Sequence, residues 1–327
     1  MNKRLFGNTG EFIGEIGLGT WQLGPDWGGV EDKTAYEIVQ AAVDHGVNFI
    51  DTADIYGMGL SEERIGRFLK SNKKKVFVAT KLGRFNTPGW PANYSLKHFR
   101  THTENSLKRL GLDVLDLTQV HCIDYEYLKD GEWVQWLGIL KKEGKIRYFG
   151  ASVQNIEEAQ YCLDHFVLTS LQIIFNIFRQ TPAEAFFEQA KAKKVALIVR
   201  LALASGLLSG TMSAQRQFSA QDHRSYNCDG QAFNVGETFS GIAFSQGLRL
   251  VDELKPLIPQ GMSMAQMALR WVLDDERVSV IIPGATKARQ VLENVSAGEF
   301  ARLSPELHQT LKEFYQMNVR QLIRGQY

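Results

Sequence analysis

The sequence has 327 residues, 44% of them hydrophobic and 22% charged, and its formal net charge is +1. A nearly neutral chain lacks the concentrated positive charge with which proteins bind nucleic acids or anionic membrane surfaces. No apolar run reaches the roughly 20 residues of a membrane helix, and the N-terminus lacks the apolar stretch of a signal peptide. Three scattered cysteines, Cys122, Cys162 and Cys228, form no C-x-x-C pair and predict a reduced, cytoplasmic protein.

The chain opens with a segment whose Asn8-Thr9-Gly10 turn predicts a small β-hairpin that could cap the bottom of the fold. After it, short apolar runs alternate with amphipathic stretches. Helix signals include a one-sided apolar pattern over residues 32–45 and typical N-cap serines at Ser95 and Ser304. The predicted strands cover residues 15–20, 47–51, 75–81, 114–121, 147–152, 171–176, 196–200 and 279–283. Strands that alternate with helices imply a parallel sheet, and eight such units predict one α/β-class (β/α)8 barrel domain over residues 1–327.

The longest irregular stretch, residues 211–245, follows the seventh predicted strand and carries Phe218, Tyr226, Phe233 and Phe239. A loop of this length inside a compact domain is usually either functional or disordered. Its aromatic residues favour a lid that packs on the rest of the protein over plain disorder.

Titratable side chains stand at the carboxyl ends of three adjacent predicted strands. Asp51 and Tyr56 follow the second strand, Lys81 ends the third and His121 ends the fourth. Barrel enzymes place their chemistry at this end of the strands. Each of these residues alone would more often be structural, but together they are a candidate site in which Asp51 and Lys81 can neutralise each other.

These four residues suit one kind of chemistry. A tyrosine has a pKa near 10, and a neighbouring ammonium lowers that pKa, while a histidine can assist by hydrogen bonding. Tyr56 beside Lys81, with Asp51 holding Lys81, is therefore predicted to donate a proton to a carbonyl group that becomes an alcohol. No side chain carries a hydride, so the hydride must come from a cofactor.

The same residues lie in sequence blocks that resemble the aldo-keto reductases. The blocks are GLGTW (17–21), FIDTADIYG (49–57), ATK (79–81), LGLDVLDLTQVH (110–121), GKIRYFGAS (144–152), LQIIFN (171–176), LASGLLSG (203–210) and IPGATKARQVLEN (282–294). The resemblance covers essentially the whole chain. It implies a (β/α)8 barrel, an NAD(P)H cofactor and a catalytic tetrad of Asp51, Tyr56, Lys81 and His121.

The resemblance also implies cofactor contacts. Ser152 and Gln172 would hold the nicotinamide carboxamide, and Arg200 would stack where much of the family has tyrosine. Phosphates of barrel ligands commonly bind at the loops after strands 7 and 8, where backbone N–H groups at a helix N-terminus attract anions. The full set of candidate cofactor residues is Gly19, Thr20, Trp21, Asp51, Ser152, Gln172, Arg200, Ala204, Ser205, Gly206, Gly284, Thr286, Lys287, Gln290, Glu293 and Asn294.

Three further expectations concern the choice of cofactor, the absence of a Rossmann dinucleotide-binding fingerprint and the substrate. Gln290 stands where many members have a phosphate-binding arginine, so we expect NADPH to be preferred only modestly over NADH. Gln22 occupies the third glycine position of G-x-G-x-x-G, which argues against a Rossmann fingerprint. The predicted substrate pocket favours a small uncharged or apolar carbonyl compound, or the matching alcohol, and comprises Trp21, Trp27, Tyr56, Phe85, Trp90, His121 and Tyr125.

Two other classes of protein stay open at this point. The family that the chain resembles includes potassium-channel β-subunits, which hold the cofactor tightly and turn over slowly, so a regulatory subunit is the main alternative. A metal-dependent barrel hydrolase would need several converging His or Asp ligands, whereas the strand ends here offer one histidine beside a lysine. No metal ligand is therefore predicted, and the oligomeric state is left open.

Overall fold

The computed structural model describes residues 1–25, 27 and 29–327 of the chain. Its strands are β1 (Lys3–Leu5), β2 (Phe12–Gly14), β3 (Leu18–Gly19), β4 (Phe49–Asp51), β5 (Phe77–Leu82), β6 (Leu115–His121), β7 (Ile146–Ser152), β8 (Ser170–Ile174), β9 (Ala196–Arg200) and β10 (Val278–Ile281). β3 to β10 form one parallel sheet in sequence order. Parallel bridges from Ile16 to Ile281 and from Gly19 to Gly284 bring its two edges together, so the sheet is a nearly closed barrel.

Helices lie between the strands, as the predicted alternation requires. They are α1 (Asp32–Asp44), α2 (Leu60–Ser71), α3 (Leu96–Leu110), α4 (Tyr125–Asp130), α5 (Glu132–Lys142), α6 (Ile156–His165), α7 (Thr181–Ala185), α8 (Phe187–Ala192), α9 (His223–Tyr226), α10 (Phe244–Leu254), α11 (Met264–Leu273), α12 (Ala288–Ser296) and α13 (Pro305–Phe314). The Ser95 side chain accepts a hydrogen bond from the backbone of His98, and the Ser304 side chain accepts one from Leu307. The predicted barrel and both predicted helix starts are thus confirmed.

The strand boundaries differ from the predictions mainly at the first and last strands. β3 has only two residues instead of the predicted six, since the chain here runs tightly along the closing edge of the barrel. A Cβ atom at Gly19 would lie 2.5 Å from the carbonyl oxygen of Ile282, so only glycine fits that approach. β10 ends at Ile281, before Pro283, which has no N–H group to donate.

The N-terminal hairpin closes the bottom of the barrel, as predicted. β1 and β2 pair in antiparallel register, and the chain between them turns Phe6 into the barrel. The Phe6 ring is fully buried, with its centroid 5.5 Å from that of Phe49 and 5.3 Å from that of Phe77. This plug removes the lower end of the barrel from solvent, so the opposite end is the open mouth.

Residues 211–245 fold over that mouth. The segment contains α9 and single helical turns at Val235–Glu237 and Phe239–Gly241. Its Phe233 ring lies 6.1 Å from the ring of Trp21, which is outside the segment, and His223 is fully buried. The expectation of a packed segment rather than plain disorder is confirmed, while its opening and closing stay a prediction. None of the helices built from described residues is long and apolar enough to cross a membrane.

Candidate active site

The centre of the site is a buried lysine at the end of β5. Lys81 Nζ lies 2.5 Å from Asp51 Oδ1 at the end of β4 and donates to the carbonyl oxygen of Thr52 at 2.8 Å. Its third neighbour is the Tyr56 hydroxyl, at 3.2 Å. β4 and β5 are adjacent in the sheet, with Asp51 opposite Ala79, so the register brings the carboxylate and the ammonium together. Since Lys81 and Asp51 are 1% and 2% exposed, each charge depends on the other for compensation.

The other carboxylate oxygen of Asp51 faces across the barrel. Gln172 Nε2, from β8, donates to Asp51 Oδ2 at 2.8 Å, and Ser152 Oγ, from β7, donates to Gln172 Oε1 at 3.3 Å. These bonds fix both the carboxylate and the glutamine amide. Ser152 is 1% exposed and is not among the residues that line the cavity at the mouth, so the hydrogen bond to Gln172 connects it to the cavity indirectly.

Two rings flank the Tyr56 phenol. The His121 ring, at the end of β6, stands edge-on to the Tyr56 ring with a centroid distance of 5.8 Å, and the Trp21 ring stacks at 5.9 Å. His121 Nδ1 is buried and has no hydrogen-bond partner within the described residues. The structure therefore brings together the four side chains of the predicted tetrad at one end of the barrel.

The protonation states follow from burial and from the clustered cations. Burial lowers the pKa of His121 well below its ordinary value, and the positive charges of Arg84, Lys81 and Arg200 lower it further, so the ring is neutral at neutral pH. Burial alone would lower the pKa of Lys81, but Asp51 and Tyr56 raise it above its ordinary value, so the ammonium stays charged.

For Tyr56 the sequence-based expectation of a lowered pKa is wrong. Burial raises the pKa of the phenol, and this outweighs the opposing effect of the Lys81 ammonium; the negative charge of Asp51 also raises it. The phenol is therefore protonated throughout the neutral range. Lys81 still matters, because it stabilises the phenolate relative to what burial alone would allow.

A cavity of about 1920 Å³ opens above this group. Pockets for drug-sized molecules occupy about 300–1,000 Å³, so this cavity has room for a dinucleotide together with a small substrate. Tyr56 and His121 line it, together with the predicted Trp27 and Trp90. The candidate cofactor residues that line it are Gly19, Thr20, Trp21, Asp51, Gln172, Arg200, Ser205, Gly206, Gly284, Thr286, Lys287, Gln290, Glu293 and Asn294.

Two predicted substrate residues lie outside the cavity. The Phe85 ring packs 5.3 Å from the ring of His102 on α3, and the Tyr125 ring packs 6.0 Å from that of Tyr161 on α6. Both therefore belong to the helical layer, and both assignments to the pocket are corrected. Spacing after a strand end could not tell which way these rings turn.

The loop after β9 has backbone angles that would let a ligand approach the main chain closely. Residues 211–245, called the lid segment below, already contact part of this loop. Ala204, Ser205 and Gly206 all have positive φ, at 47°, 55° and 94°. Ala204 is fully buried and does not line the cavity. Ser205 Oγ donates to the carbonyl oxygen of Glu237 at 3.2 Å and accepts from the backbone N–H of Phe239 at 3.0 Å. This hydroxyl therefore ties the loop to residues 211–245, a link that the sequence did not reveal.

The N-terminus of α12 is also partly engaged. Gln290 Oε1 accepts hydrogen bonds from the backbone N–H groups of Thr286, at 2.8 Å, and Lys287, at 3.1 Å. An anion that binds these N–H groups must displace the amide oxygen of Gln290. The Lys287 and Arg289 side chains still border the cavity beside this turn and can approach an anion directly.

Sequence reasoning missed several charged residues of the cavity, among them Arg84 and Glu237. Arg84 lies three residues beyond Lys81, and Glu237 lies in the lid segment. Glu237 Oε1 is 3.6 Å from Arg84 Nη1 and 3.7 Å from Arg200 Nη2, so one buried carboxylate faces two guanidinium groups. A charged residue just past a strand end was a usable signal for Arg84, whereas nothing local marks Glu237.

Comparison with known proteins agrees with this geometry. The sequence model described as the Aldo/keto reductase family matches residues 15–316. Aldo-keto reductase YhdN of Bacillus subtilis is 33% identical over 87% of this chain and 85% of its own length. An NADH-specific methylglyoxal reductase of Escherichia coli is 29% identical over 91% of this chain and 93% of its own. The solved structure of the glycerol dehydrogenase AKR11B4 from Gluconobacter oxydans superposes with a TM-score of 0.78 at 28% identity, covering 99% of this chain and 98% of that one.

The chain belongs to the aldo/keto reductase family. It is accordingly an NAD(P)H-dependent oxidoreductase with a (β/α)8 barrel. The expected resemblance is confirmed over nearly the whole chain.

Proposed function

We propose that this enzyme reduces aldehydes or ketones to alcohols, or catalyses the reverse reaction, with Tyr56 as the proton donor. The observation that carries the proposal is the contact of Lys81 Nζ with both the Asp51 carboxylate and the Tyr56 hydroxyl, two groups that belong to residues lining a cavity large enough for a cofactor and a substrate. A nicotinamide cofactor, when bound, supplies the hydride.

The proton chemistry follows from the charges around Tyr56. A neutral phenol at the cavity wall can donate its proton as negative charge develops on the substrate oxygen, and the nearby ammonium of Lys81 stabilises the phenolate that remains. Asp51 keeps that ammonium in place, and Gln172 keeps Asp51 in place. Neutral His121, edge-on to the phenol, is positioned to hydrogen-bond the carbonyl oxygen and so orient it towards Tyr56.

The residues present fit a nicotinamide dinucleotide. Gln172 offers an amide at the cavity floor beside Tyr56, Arg200 offers a planar guanidinium, and the loops after β9 and β10 offer a turn with positive φ and a helix N-terminus. We propose that Gln172 holds the carboxamide and that Lys287, with Thr286, lies near the adenosine ribose.

NADPH is the proposed preferred cofactor, by a modest margin. Its extra phosphate carries about −1.5 to −2 charges, and Lys287 and Arg289 are the cations that border the cavity at α12. Gln290 carries no charge, and its amide oxygen already occupies two backbone donors. The preference should therefore be smaller than at a site with a forked arginine.

The test is Tyr56→Phe, with Tyr36→Phe on the outer face of α1 as the matched control. General acids contribute about 10²–10⁴-fold to rate, so kcat for carbonyl reduction should fall by that factor while binding of the reduced cofactor, followed by fluorescence, is nearly unchanged. Tyr36→Phe should behave as wild type. More than a tenth of wild-type kcat in Tyr56→Phe, or no turnover of any aldehyde, ketone, sugar or quinone by the wild type, would contradict the proposal.

A further inference from the structure

Arg84 is a cation of the cavity that the proposed reaction leaves unused. It follows β5 by two residues and lines the same cavity as Tyr56 and His121. Its side chain is 25% exposed, and its charge has the largest electrostatic effect on the pKa of His121. The guanidinium is therefore close to the reacting end of the cavity without belonging to the tetrad.

The hydrogen bonds of Arg84 distinguish it from its neighbour Arg200. Arg200 Nη2 donates to the carbonyl oxygen of Val153 at 3.1 Å and contacts the sulfur of Cys122 at 3.5 Å. Arg84 makes no hydrogen bond with any described residue, and its nearest carboxylate oxygen, on Glu237, is 3.6 Å away. A guanidinium has five N–H donors in a fixed fork. Because the Arg84 side chain is 25% exposed and lines the cavity, its donors are accessible to a group bound there.

The flanking groups show what kind of partner fits. Asp124 and Glu237 line the same cavity as Arg84 and Arg200, and their negative charges offset the two positive ones, so long-range attraction for an anion is weak. A planar fork instead recognises carboxylate or phosphate through two parallel hydrogen bonds. The Trp90, Tyr94 and Tyr127 rings stand beside this region, with ring centroids of Trp90 and Tyr94 6.3 Å apart, and Trp90 is 49% exposed. These rings can cover an apolar or aromatic substrate body.

We infer that Arg84 binds an acidic group of the substrate, so that the preferred substrates are carbonyl compounds bearing a carboxylate or a phosphate. The inference rests on the proposed carbonyl reduction and narrows its substrate class. It replaces the expectation of uncharged substrates, which came from the aromatic residues alone. In this arrangement the carbonyl lies at Tyr56 and His121 and the acidic group lies against Arg84.

The experiment compares matched substrates that differ in charge. For carboxylate, 4-carboxybenzaldehyde is compared with methyl 4-formylbenzoate, whose electron-withdrawing ester is uncharged. For phosphate, 4-formylphenyl phosphate is compared with 4-methoxybenzaldehyde. Each kcat/KM ratio, charged over uncharged, is measured for wild type, Arg84→Gln, Arg84→Lys and the control Arg249→Gln. Arg249 lies on α10, outside the cavity, and its guanidinium is also 3.6 Å from a carboxylate, that of Glu253.

We expect the wild-type ratio to exceed one for at least one pair. In Arg84→Gln that ratio should fall about 10- to 100-fold, mainly through KM, because the loss of charge-assisted hydrogen bonds weakens binding by about that factor. Arg84→Lys should recover part of the ratio, since it keeps the charge but not the fork. Arg249→Gln should keep the wild-type ratio. The substrate pair whose kcat/KM ratio falls more in Arg84→Gln shows whether the recognised acidic group is a carboxylate or a phosphate.

Three results would overturn the inference. A wild-type ratio at or below one for both pairs would show that no acidic group is recognised. Equal losses for charged and uncharged substrates in Arg84→Gln would show that Arg84 acts only through Glu237 on the lid segment. In Arg84→Gln, kcat/KM values that are unchanged for both the charged and the uncharged substrates would show that the acidic group binds elsewhere. If neither the charged nor the uncharged aldehydes are reduced, the proposed function itself fails, which is a separate outcome.

Discussion

The buried pair of Lys81 and Asp51 makes a sharp prediction about stability. In Lys81→Met the ammonium that lies 2.5 Å from Asp51 Oδ1 is lost, and Asp51 retains only the hydrogen bond from Gln172. Removal of one partner of a buried ion pair costs about 3–5 kcal/mol, because the other charge is left uncompensated. Domains typically have about 5–15 kcal/mol of unfolding free energy, so the variant should fold with a much smaller margin.

A second substitution tests that this cost comes from the isolated carboxylate. In Lys81→Met/Asp51→Asn the amide is uncharged and can still accept the hydrogen bond from Gln172, so most of the lost free energy of unfolding should return. The exposed pair of Lys75 and Glu11, 2.9 Å apart, supplies the control. Lys75→Met should change stability by at most about 1 kcal/mol, because water already screens that pair.

The pH dependence has a definite sign. Burial raises the pKa of Asp51, and Lys81 opposes that rise in the wild type. Without Lys81 the folded-state pKa climbs further above the unfolded value of about 3.9. The folded form then binds the proton more tightly, so the destabilisation of Lys81→Met is full above its folded-state pKa and shrinks as pH falls towards the unfolded value.

The assay is urea unfolding of the wild type and the three variants, at about pH 8 and about pH 5, with matched m-values as a check on two-state behaviour. A double variant that is no more stable than Lys81→Met at the higher pH would show that the isolated Asp51 carboxylate is not the cause of the loss. An equal loss of stability in Lys81→Met at both pH values would show the same.

Further predictions concern the lid, the cofactor and the pH profile. Proteolysis within residues 211–245 should slow at saturating NADPH, since the segment lines the cavity; equal cutting with and without cofactor would contradict a lid. Lys287→Ala should remove most of an expected 10- to 100-fold preference in kcat/KM for NADPH, at unchanged kcat, whereas a wild-type enzyme that uses NADH equally well refutes the preference. The pKa of His121 is lowered and that of Tyr56 is raised, so reduction at saturating cofactor should be flat from about pH 6.5 to about pH 9. A titration midpoint near 7 that vanishes in His121→Asn would show a charged histidine.

The sequence predicted the barrel well because its signals are local and repeated. The run at residues 196–200 coincides with β9, and the helix pattern at 32–45 matches α1 to within a residue. Strand length at the closing edge was not predictable in the same way. The shortness of β3 depends on how closely Gly19 approaches Ile282, and these residues are more than 260 positions apart in the chain.

The tetrad was predictable for the same reason that the barrel was. In a parallel barrel the carboxyl ends of all strands lie at the same mouth. A titratable residue at a strand end can therefore be assigned to that mouth before any side-chain contact is known. The direction of a ring beyond the strand end has no such constraint. Phe85 turned towards His102 and Tyr125 towards Tyr161, and only the packing of α3 and α6 decides that.

The pKa of Tyr56 and the position of Glu237 show what a pattern of charges along a sequence leaves out. Lys81 lowers the pKa of Tyr56, as predicted, but the rings of Trp21 and His121 pack against the phenol. The resulting loss of hydration raises the pKa by more than the single ammonium lowers it. Glu237 meets Arg84 across 153 positions of chain through a loop with no periodic pattern. Substrate selectivity, which we assign to Arg84, thus depends on a lid contact that no local rule contains. The position of residues at strand ends predicts where the reaction takes place, whereas contacts between distant parts of the chain determine which substrate the site selects.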